Sequence, residues 1–492
     1  MERMSTLDAG FYFMEDENVP MHVGSVAVFE GPAPAYGDLV RLLVAKLPRV
    51  PRYRQRVRTL PLHLGRPGWV DDEHFQILYH VRHTAVPSPG GEQELRNLAG
   101  RVFAQRLDMT KPVWEMWLVE GLEEDRWAII SKVHHCMIDG VAGWDLAALL
   151  LDATPDAEHP RVPAAWSPKP GPSLPELLAG GLRDAVAGPL GQLARVPQQL
   201  SSTLLSPAKL LDFGRGLPGT ARRLGGSAAR SLNGSSGPHR RWEWTQVSLG
   251  EVKMIRGALG GTVNDVVLAA VTRGFRDLLA GRGELVDGQI VRSLVPVSVR
   301  VREEKGVLNN RVSALLVNLP VGEADPAKRL TRLREQMDDL KETRQVVGAQ
   351  ALTELAGFAA PTLLSLGSRA VARFPQPVMQ TATTNVPGPR FPLYMLGRKM
   401  TAIHPYIPIA SNIRTAIGIL SYLDQLNFGV TGDFDAVPDI GVLNAGIRAG
   451  VDELLEYVAA PAPAPVKAAR KKTAAKRAVT RPAGGSPGTR ER

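Results

Sequence analysis

Residues 127–153 read WAIISKVHHCMIDGVAGWDLAALLLDA, and the reading of this stretch decides the fold class. Its first nine residues alternate as a strand does: Trp127, Ile129, Ser131, Val133 and His135 share one face, and Ala128, Ile130, Lys132 and His134 share the other. Past Asp139 and Gly140 the period becomes helical, with Val141, Trp144, Ala148 and Leu151 on one stripe. Strand, tight turn and helix in succession predict a mixed α/β domain. Neighbouring side chains on a strand diverge, so His134 and His135 cannot both serve one site. A histidine at the strand's end, followed by a turn that carries an acid, is one way to hold a general base in a fixed orientation. Asp139 taken alone also reads as a helix N-cap.

Working outward, "MHVGSVAVF" (21–29) is a second strand-like run and "YGDLVRLLVAKL" (36–47) a helical one. From Thr154 the character changes. "PRVPAAWSPKPGPSLP" (160–175) holds six prolines, which exclude helix interior and central strand and predict a linker. Residues 176–232 offer short amphipathic runs laced with arginine. A second α/β pattern begins at Trp242, with a helix at "NDVVLAAVTRGFRDLL" and strands at "IVRSLVPVSV", "RVSALLVNLPV" and "TAIGILSYLDQLNFGVTGDF". The tail is low in complexity and nearly free of large apolar side chains, so disorder is expected there. The expected organisation is a first domain at 1–152, a Pro-rich then basic connector at 153–241, a second domain at 242–458 and a tail at 459–492.

The chain has 492 residues and a net charge of +10, and position decides what that charge means. Residues 459–492 carry nine Lys/Arg against one acid and residues 176–241 nine against three, which leaves the rest of the chain at −4. The body is thus acidic, and the Lys/Ala/Pro tail alone is thin support for nucleic-acid binding. No nucleic-acid partner is expected. With Cys136 as the only cysteine, neither an intrachain disulfide nor a cysteine-based zinc site can form, and a cytoplasmic setting is expected. The acidic N-terminus is no export signal, and the apolar run 355–368 is shorter than the roughly 20 residues of a membrane span.

Other candidate sites are weaker. Cys136 adjoins His135, but nucleophile and base usually meet across a fold and not along the chain. His74, His80 and His83 could suggest a metal, yet His80 and His83 would lie on opposite faces if "ILYHVRH" is a strand. "GRGLPG" (214–219) matches a dinucleotide-binding glycine pattern without the preceding strand. No G-x-S-x-G, Walker A or H-E-x-x-H sequence occurs. Asn264 and Asp265 open a helix whose core face is Val267, Val271, Gly274 and Leu278; asparagine there caps the helix or turns its amide toward a site.

Taken together, these elements resemble the bacterial wax ester synthase/diacylglycerol acyltransferase family. "HHCMIDG" matches its His-His-x-x-x-Asp-Gly motif; "MSTLDAGFYFMEDENVPMHVG", "KPVWEMWLVEGL", "GGTVNDVVLAAV", "PVSVR" and "TTNVPGP" resemble further segments, in order, over residues 1 to about 455. The His motif alone is shared with condensation domains and chloramphenicol acetyltransferases; the ordered set is far more specific. Val113 stands where the family usually has leucine, Asn309 precedes Asn310 where Gly-Asn is common, and the connector is unusually basic.

The resemblance implies two chloramphenicol-acetyltransferase-like α/β domains with an active-site tunnel between them. It implies transfer of a long-chain acyl group from acyl-CoA to diacylglycerol, a long-chain alcohol or both, with no metal and no cofactor beyond acyl-CoA as co-substrate. By the same match His135 is the base, Asp139 and Gly140 order its turn, His134 supports it, and Asn264, beside Asp265, polarises the thioester carbonyl or holds the facing turn. Lipid acceptors imply a cytoplasmic enzyme at an anionic membrane or lipid-droplet surface, to which the basic segments are suited. Acylation of a polyketide or glycolipid hydroxyl would use the same histidine, and a lipid- or nucleic-acid-binding protein is the non-enzymatic alternative.

Overall fold

A computed structural model describes residues 1–60, 66–137, 150–158, 166–173, 175–180, 229–298, 312–342 and 379–460. The first half runs β1 (Glu2–Arg3), α1 (Thr6–Met14), β2 (His22–Glu30), α2 (Tyr36–Lys46), β3 (Gln55–Arg58), β4 (Gly68–Asp71), the one-turn α3 (Ile77–His80), β5 (Val81–Ala85), α4 (Glu92–Ala104), β6 (Trp114–Leu122) and β7 (Arg126–His134). The second half runs β8 (Arg240–Ser248), α5 (Leu249–Leu259), α6 (Val263–Gly281), β9 (Val291–Ser298), β10 (Val312–Leu319), α7 (Pro326–Glu342), β11 (Thr381–Val386), β12 (Tyr394–Met395), β13 (Arg398–Tyr406), β14 (Thr415–Tyr422), β15 (Gln425–Asp433) and α8 (Ile440–Ala459). The proline-rich 166–173 segment is without helix or strand, and 181–228, the apolar run 355–368 and the tail from 461 lie outside the described residues.

Two six-stranded sheets carry the mixed α/β architecture, ordered β12-β13-β2-β7-β6-β5 and β10-β9-β11-β14-β15-β8, beside a small β1-β4-β3 sheet. The β7 alternation is realised as expected. Trp127, Ile129 and Val133 pack with α2, whereas Ala128 and Ile130 pack with α4 and with Trp242 and Trp244. In the second sheet α6 is buried almost all round, and Val266–Val271, Phe275 and Leu278 form the centre of the largest core.

The sheets do not follow the halves of the chain. The β12–β13 hairpin comes from the second half, yet β13 pairs antiparallel along β2, from Met400 opposite Phe29 to Tyr406 opposite Gly24. The end of β13 also crosses the second sheet at a paired-glycine notch, Gly418 opposite Gly429. A Cβ on Gly429 would lie 1.7 Å from the Pro405 carbonyl oxygen, so only glycine permits this approach. Trp242 Nε1 donates to the same carbonyl at 3.3 Å. Residues 1–458 accordingly form one compact unit. Among the described residues no single helix is long and apolar enough to cross a membrane.

Candidate active site

The site begins where β7 ends. The His134 amide donates to Val113 O at 2.9 Å and the His135 amide to Met21 O at 2.8 Å, so the neighbouring chain on both sides fixes the backbone here. His134 closes the strand, and His135–Met137 turns off as a 3-10 helix. The two side chains thereby part.

His134 is fully buried and held at both ring nitrogens. The Cys136 amide donates to its Nδ1 at 3.1 Å, and its Nε2 lies 2.9 Å from Glu15 Oε2. An Nδ1 that accepts carries no proton, so Nε2 bears the hydrogen and donates it to the carboxylate. Glu15, the C-cap of α1, also accepts from the Met21 amide at 3.2 Å and from Arg106 Nη2 at 3.0 Å. Burial alone would raise its pKa; the hydrogen bonds from His134, Met21 and Arg106 outweigh burial and hold it below the usual carboxylate range.

His135 has a different environment. Its ring stacks on Phe11 of α1, centroids 3.8 Å apart, and Nδ1 is enclosed without a hydrogen-bond partner among the described residues. Burial lowers its pKa to about 4, against a smaller upward pull from its own backbone. The imidazole is therefore neutral at pH 7 and able to accept a proton. Cys136 is buried, and burial pushes its thiol well above the usual range, which removes the thiolate a nucleophile would need. Asp139 and Gly140 lie outside the described residues.

Asn264 does not cap α6. That position belongs to Thr262, whose amide donates to Asp265 Oδ2 at 2.7 Å while its hydroxyl accepts from the Asp265 amide at 3.3 Å. Asp265 is thus committed to a capping box. Asn264 sits two residues past the cap, in the first turn, and accepts from Asn385 Nδ2 at 3.4 Å, which joins the "VNDVV" and "TTNVPG" segments in the second sheet's layer. No hydrogen bond or ring contact links Asn264 to His135 among the described residues.

His80 and His83 each have a structural partner. "ILYHVRH" is not one strand: His80 ends the one-turn α3, is buried against Trp114 and shares a 2.8 Å hydrogen bond with the Trp114 carbonyl through Nδ1. His83, in β5, pairs with Glu120 at 3.1 Å. No cluster of metal-ligating side chains occurs among the described residues. "GRGLPG" falls outside them.

Sequence reasoning missed Glu15 and Phe11, although both lie in the "FYFMEDENVPMH" stretch that carried part of the family resemblance. Their spacing of four residues, across the last turn of a helix and its cap, was the available signal.

Two family models match in order: wax ester synthase/diacylglycerol acyltransferase catalytic domain over residues 4–267, and the C-terminal domain of the same family over 308–455. The probable diacylglycerol O-acyltransferase tgs1 of Mycobacterium tuberculosis (strain H37Rv) is 35% identical over 463 residues, covering 92% of this chain and 96% of its own. The probable diacylglycerol O-acyltransferase tgs2 of the same organism and strain is 31% identical, covering 93% and 100%. Among solved structures, the wax ester synthase/diacylglycerol acyltransferase from Marinobacter aquaeolei VT8 superposes with a TM-score of 0.65 at 26% identity, over 94% of this chain and all of the other. The trichothecene 15-O-acetyltransferase from Fusarium sporotrichioides shares the fold at TM-score 0.58 and 13% identity, over 92% and 94%. With both family models matched along most of its length, the chain belongs to the wax ester synthase/diacylglycerol acyltransferase family.

Proposed function

We propose that this protein transfers a long-chain acyl group from acyl-CoA to the hydroxyl of diacylglycerol, of a long-chain alcohol, or of both, with His135 as general base. The observation that carries the assignment of the base is the contrast between the two histidines. His134 has both nitrogens engaged, whereas the His135 ring stacks on Phe11, has no hydrogen-bond partner at Nδ1 among the described residues and stays unprotonated at neutral pH. With Nδ1 enclosed, Nε2 is the nitrogen that faces substrate. It takes the acceptor's proton as the hydroxyl oxygen attacks the thioester carbonyl; the tetrahedral intermediate then expels the CoA thiolate, which receives that proton from the imidazolium.

His134 and Glu15 position the turn without handling the proton. Asp139 and Gly140 shape the turn beyond His135, and Asn264 polarises the carbonyl or steadies the facing segment; a preorganised oxyanion donor contributes about 2.7–4 kcal/mol. A thioester is already activated, so the step calls for no metal or redox group, and acyl-CoA is a co-substrate. The lipid acceptors and the basic segments 176–241 and 459–492 support a cytoplasmic enzyme bound peripherally to an anionic membrane or lipid droplet.

The test is release of CoA by purified protein given palmitoyl-CoA with diolein or with hexadecanol. Turnover with either acceptor that His135→Ala abolishes is expected; normal CoA release by His135→Ala would refute the mechanism. For the surface, removal of 459–492 is expected to weaken flotation with anionic liposomes, and unchanged partitioning would defeat that assignment.

A further inference from the structure

The last turn of α4 is gripped by the strand that presents the catalytic turn. Lys132 stands two positions before His134 on the same face of β7, and its side chain is completely buried. Its Nζ donates to Val102 O at 3.0 Å and to Gln105 O at 2.8 Å, and lies 3.4 Å from Glu115 Oε2. All three partners can only accept, so the nitrogen carries three hydrogens and the full charge of an ammonium. His22, directly opposite His134 in the β2–β7 register, takes a carbonyl of the same turn: its Nε2 donates to Phe103 O at 2.9 Å. A helix end leaves carbonyls without partners and a negative dipole end, and a buried cation answers both.

The rest of α4 is fixed by the second sheet. Leu98, Val102 and Phe103 are buried with Trp242 and Trp244, and Arg96 pairs with Glu243 at 3.1 Å while lying over the Trp244 ring at 4.3 Å. Held on both sides, the last turn of α4 is a fixed point from which the catalytic turn is set. The Gln105 carbonyl that Lys132 holds belongs to the peptide unit that begins Arg106. Arg106 Nε and Nη2 donate to Glu15 Oε1 at 3.2 and 3.0 Å, and the other Glu15 oxygen accepts from His134. Lys132, Gln105, Arg106, Glu15 and His134 thus close a ring around the strand end from which His135 turns off. A position that only needed filling calls for no charge, since an apolar side chain of similar length leaves no ion to desolvate.

We propose that Lys132 is a positioning residue for the acyl transfer: by holding the α4 carbonyls it keeps Arg106 on Glu15, and so fixes the turn that presents His135. The inference rests on the acyltransferase reading above and adds a group that touches neither substrate nor the reacting atoms.

The experiment cuts the ring at two places. Lys132→Met removes the ammonium and keeps most of the length, Lys132→Arg keeps a cation with several donors, and Arg106→Gln breaks the next link at a side chain 42% exposed, where folding tolerates the change. For each, kcat and KM for palmitoyl-CoA are measured well below its Tm, per amount of folded protein read by near-UV circular dichroism. A displacement of about 1 Å at a reacting group costs about 100-fold. Lys132→Met is expected to lower kcat at least about tenfold with KM within about twofold, and Lys132→Arg to recover part of the loss. Arg106→Gln is expected to lower kcat in the same way at parental Tm. Because both act along one path, the double variant should lose less than the product of the single losses. Should Lys132→Met not fold, Lys132→Arg takes its place in the cycle. Parental kcat in Arg106→Gln, or losses that multiply, would overturn the proposal.

A second readout separates this inference from the function it rests on. In protein labelled with nitrogen-15 at histidine, the His134 Nε2 proton, donated to a buried carboxylate, should give a slowly exchanging downfield resonance. Arg106→Gln and the Lys132 variant are expected to speed its exchange at least about tenfold. Parental exchange in both would overturn the brace even if turnover is normal. Absent CoA release by the parent protein alongside faster exchange in the variants would instead defeat the enzymatic reading and leave the brace standing.

Discussion

Replacing Glu15 tests how far the catalytic turn depends on one carboxylate. Glu15 has 3% of its side chain exposed, and two of its partners are shut away from water, the His134 ring and the Met21 amide. Glu15→Ala removes the acceptor for both. A buried donor left unsatisfied costs about 1–3 kcal/mol, so the pair together cost about 2–6 kcal/mol. Arg106, 42% exposed, returns to solvent and adds little. Unfolding entropy of about 2.1 cal/mol/K per residue over the 458-residue unit is close to 1 kcal/mol/K, so Tm is expected to fall by about 2–6 °C. Activity should fall further than stability, because the freed His134 ring no longer fixes the turn that presents His135. Glu15→Gln, which keeps one acceptor oxygen, should lie between Glu15→Ala and the parent in both measures. Thermal unfolding and kcat/KM with palmitoyl-CoA on the same samples give the answer. A Glu15→Gln or Glu15→Ala protein with parental Tm and kcat/KM would refute the reasoning. The pH dependence supplies a sign: a carboxyl held below its unfolded pKa contributes stability above that value and loses it as pH falls, so the difference in Tm between parent and Glu15→Gln should shrink in acid.

Three further outcomes follow from the geometry. The His135 pKa is lowered to about 4, so the acid limb of kcat/KM should have its midpoint near 4 and not near 6.5, read with a circular-dichroism control for folding; a midpoint at 6.5 would mean that the free enzyme exposes the imidazole. Cys136→Ser should retain kcat, and the native thiol should resist maleimide until the protein unfolds, because burial suppresses the thiolate; rapid modification of the folded protein would contradict this. Gly429→Ala places a methyl against the Pro405 carbonyl, a backbone atom that cannot rotate aside, and should destabilise by at least about 3 kcal/mol, seen as a lower urea midpoint. An unshifted midpoint there would show that β13 does not approach β15 so closely.

Much of the fold was legible because its signals are local. The period of two in 126–134 and the buried stripe of 263–281 follow from side-chain geometry within one element, and β7 and α6 stand where that reading put them. The doubled histidine was half legible: divergence of the side chains follows from the pleat, but a 3-10 turn starting at His135 leaves no pattern in residues 127–135. The partner of His134 is 119 positions away in sequence, and nothing near either residue announces the pair. Asn264 and Thr262 are both good caps by residue type, and the reciprocal Thr262–Asp265 capping box is what separates them. "ILYHVRH" misled because a single helical turn is too short to establish a period. Least legible was β13, whose place beside β2 depends on pairing across most of the chain.

That pairing has a consequence for biosynthesis. β2 emerges from the ribosome early, finds β7 about a hundred residues later, and keeps its other edge bare until β13 is made. Between Glu30 and Arg398 lie about 370 residues, roughly 20–70 s of translation at 5–20 residues per second. For that interval "HVGSVAVFE" presents a nearly uncharged, β-prone ribbon with open backbone groups, the kind of edge that recruits strands from other chains. Yield of soluble protein should therefore depend on how nascent chains are shielded during this wait, and a truncated product that stops before residue 398 is the species that seeds aggregates.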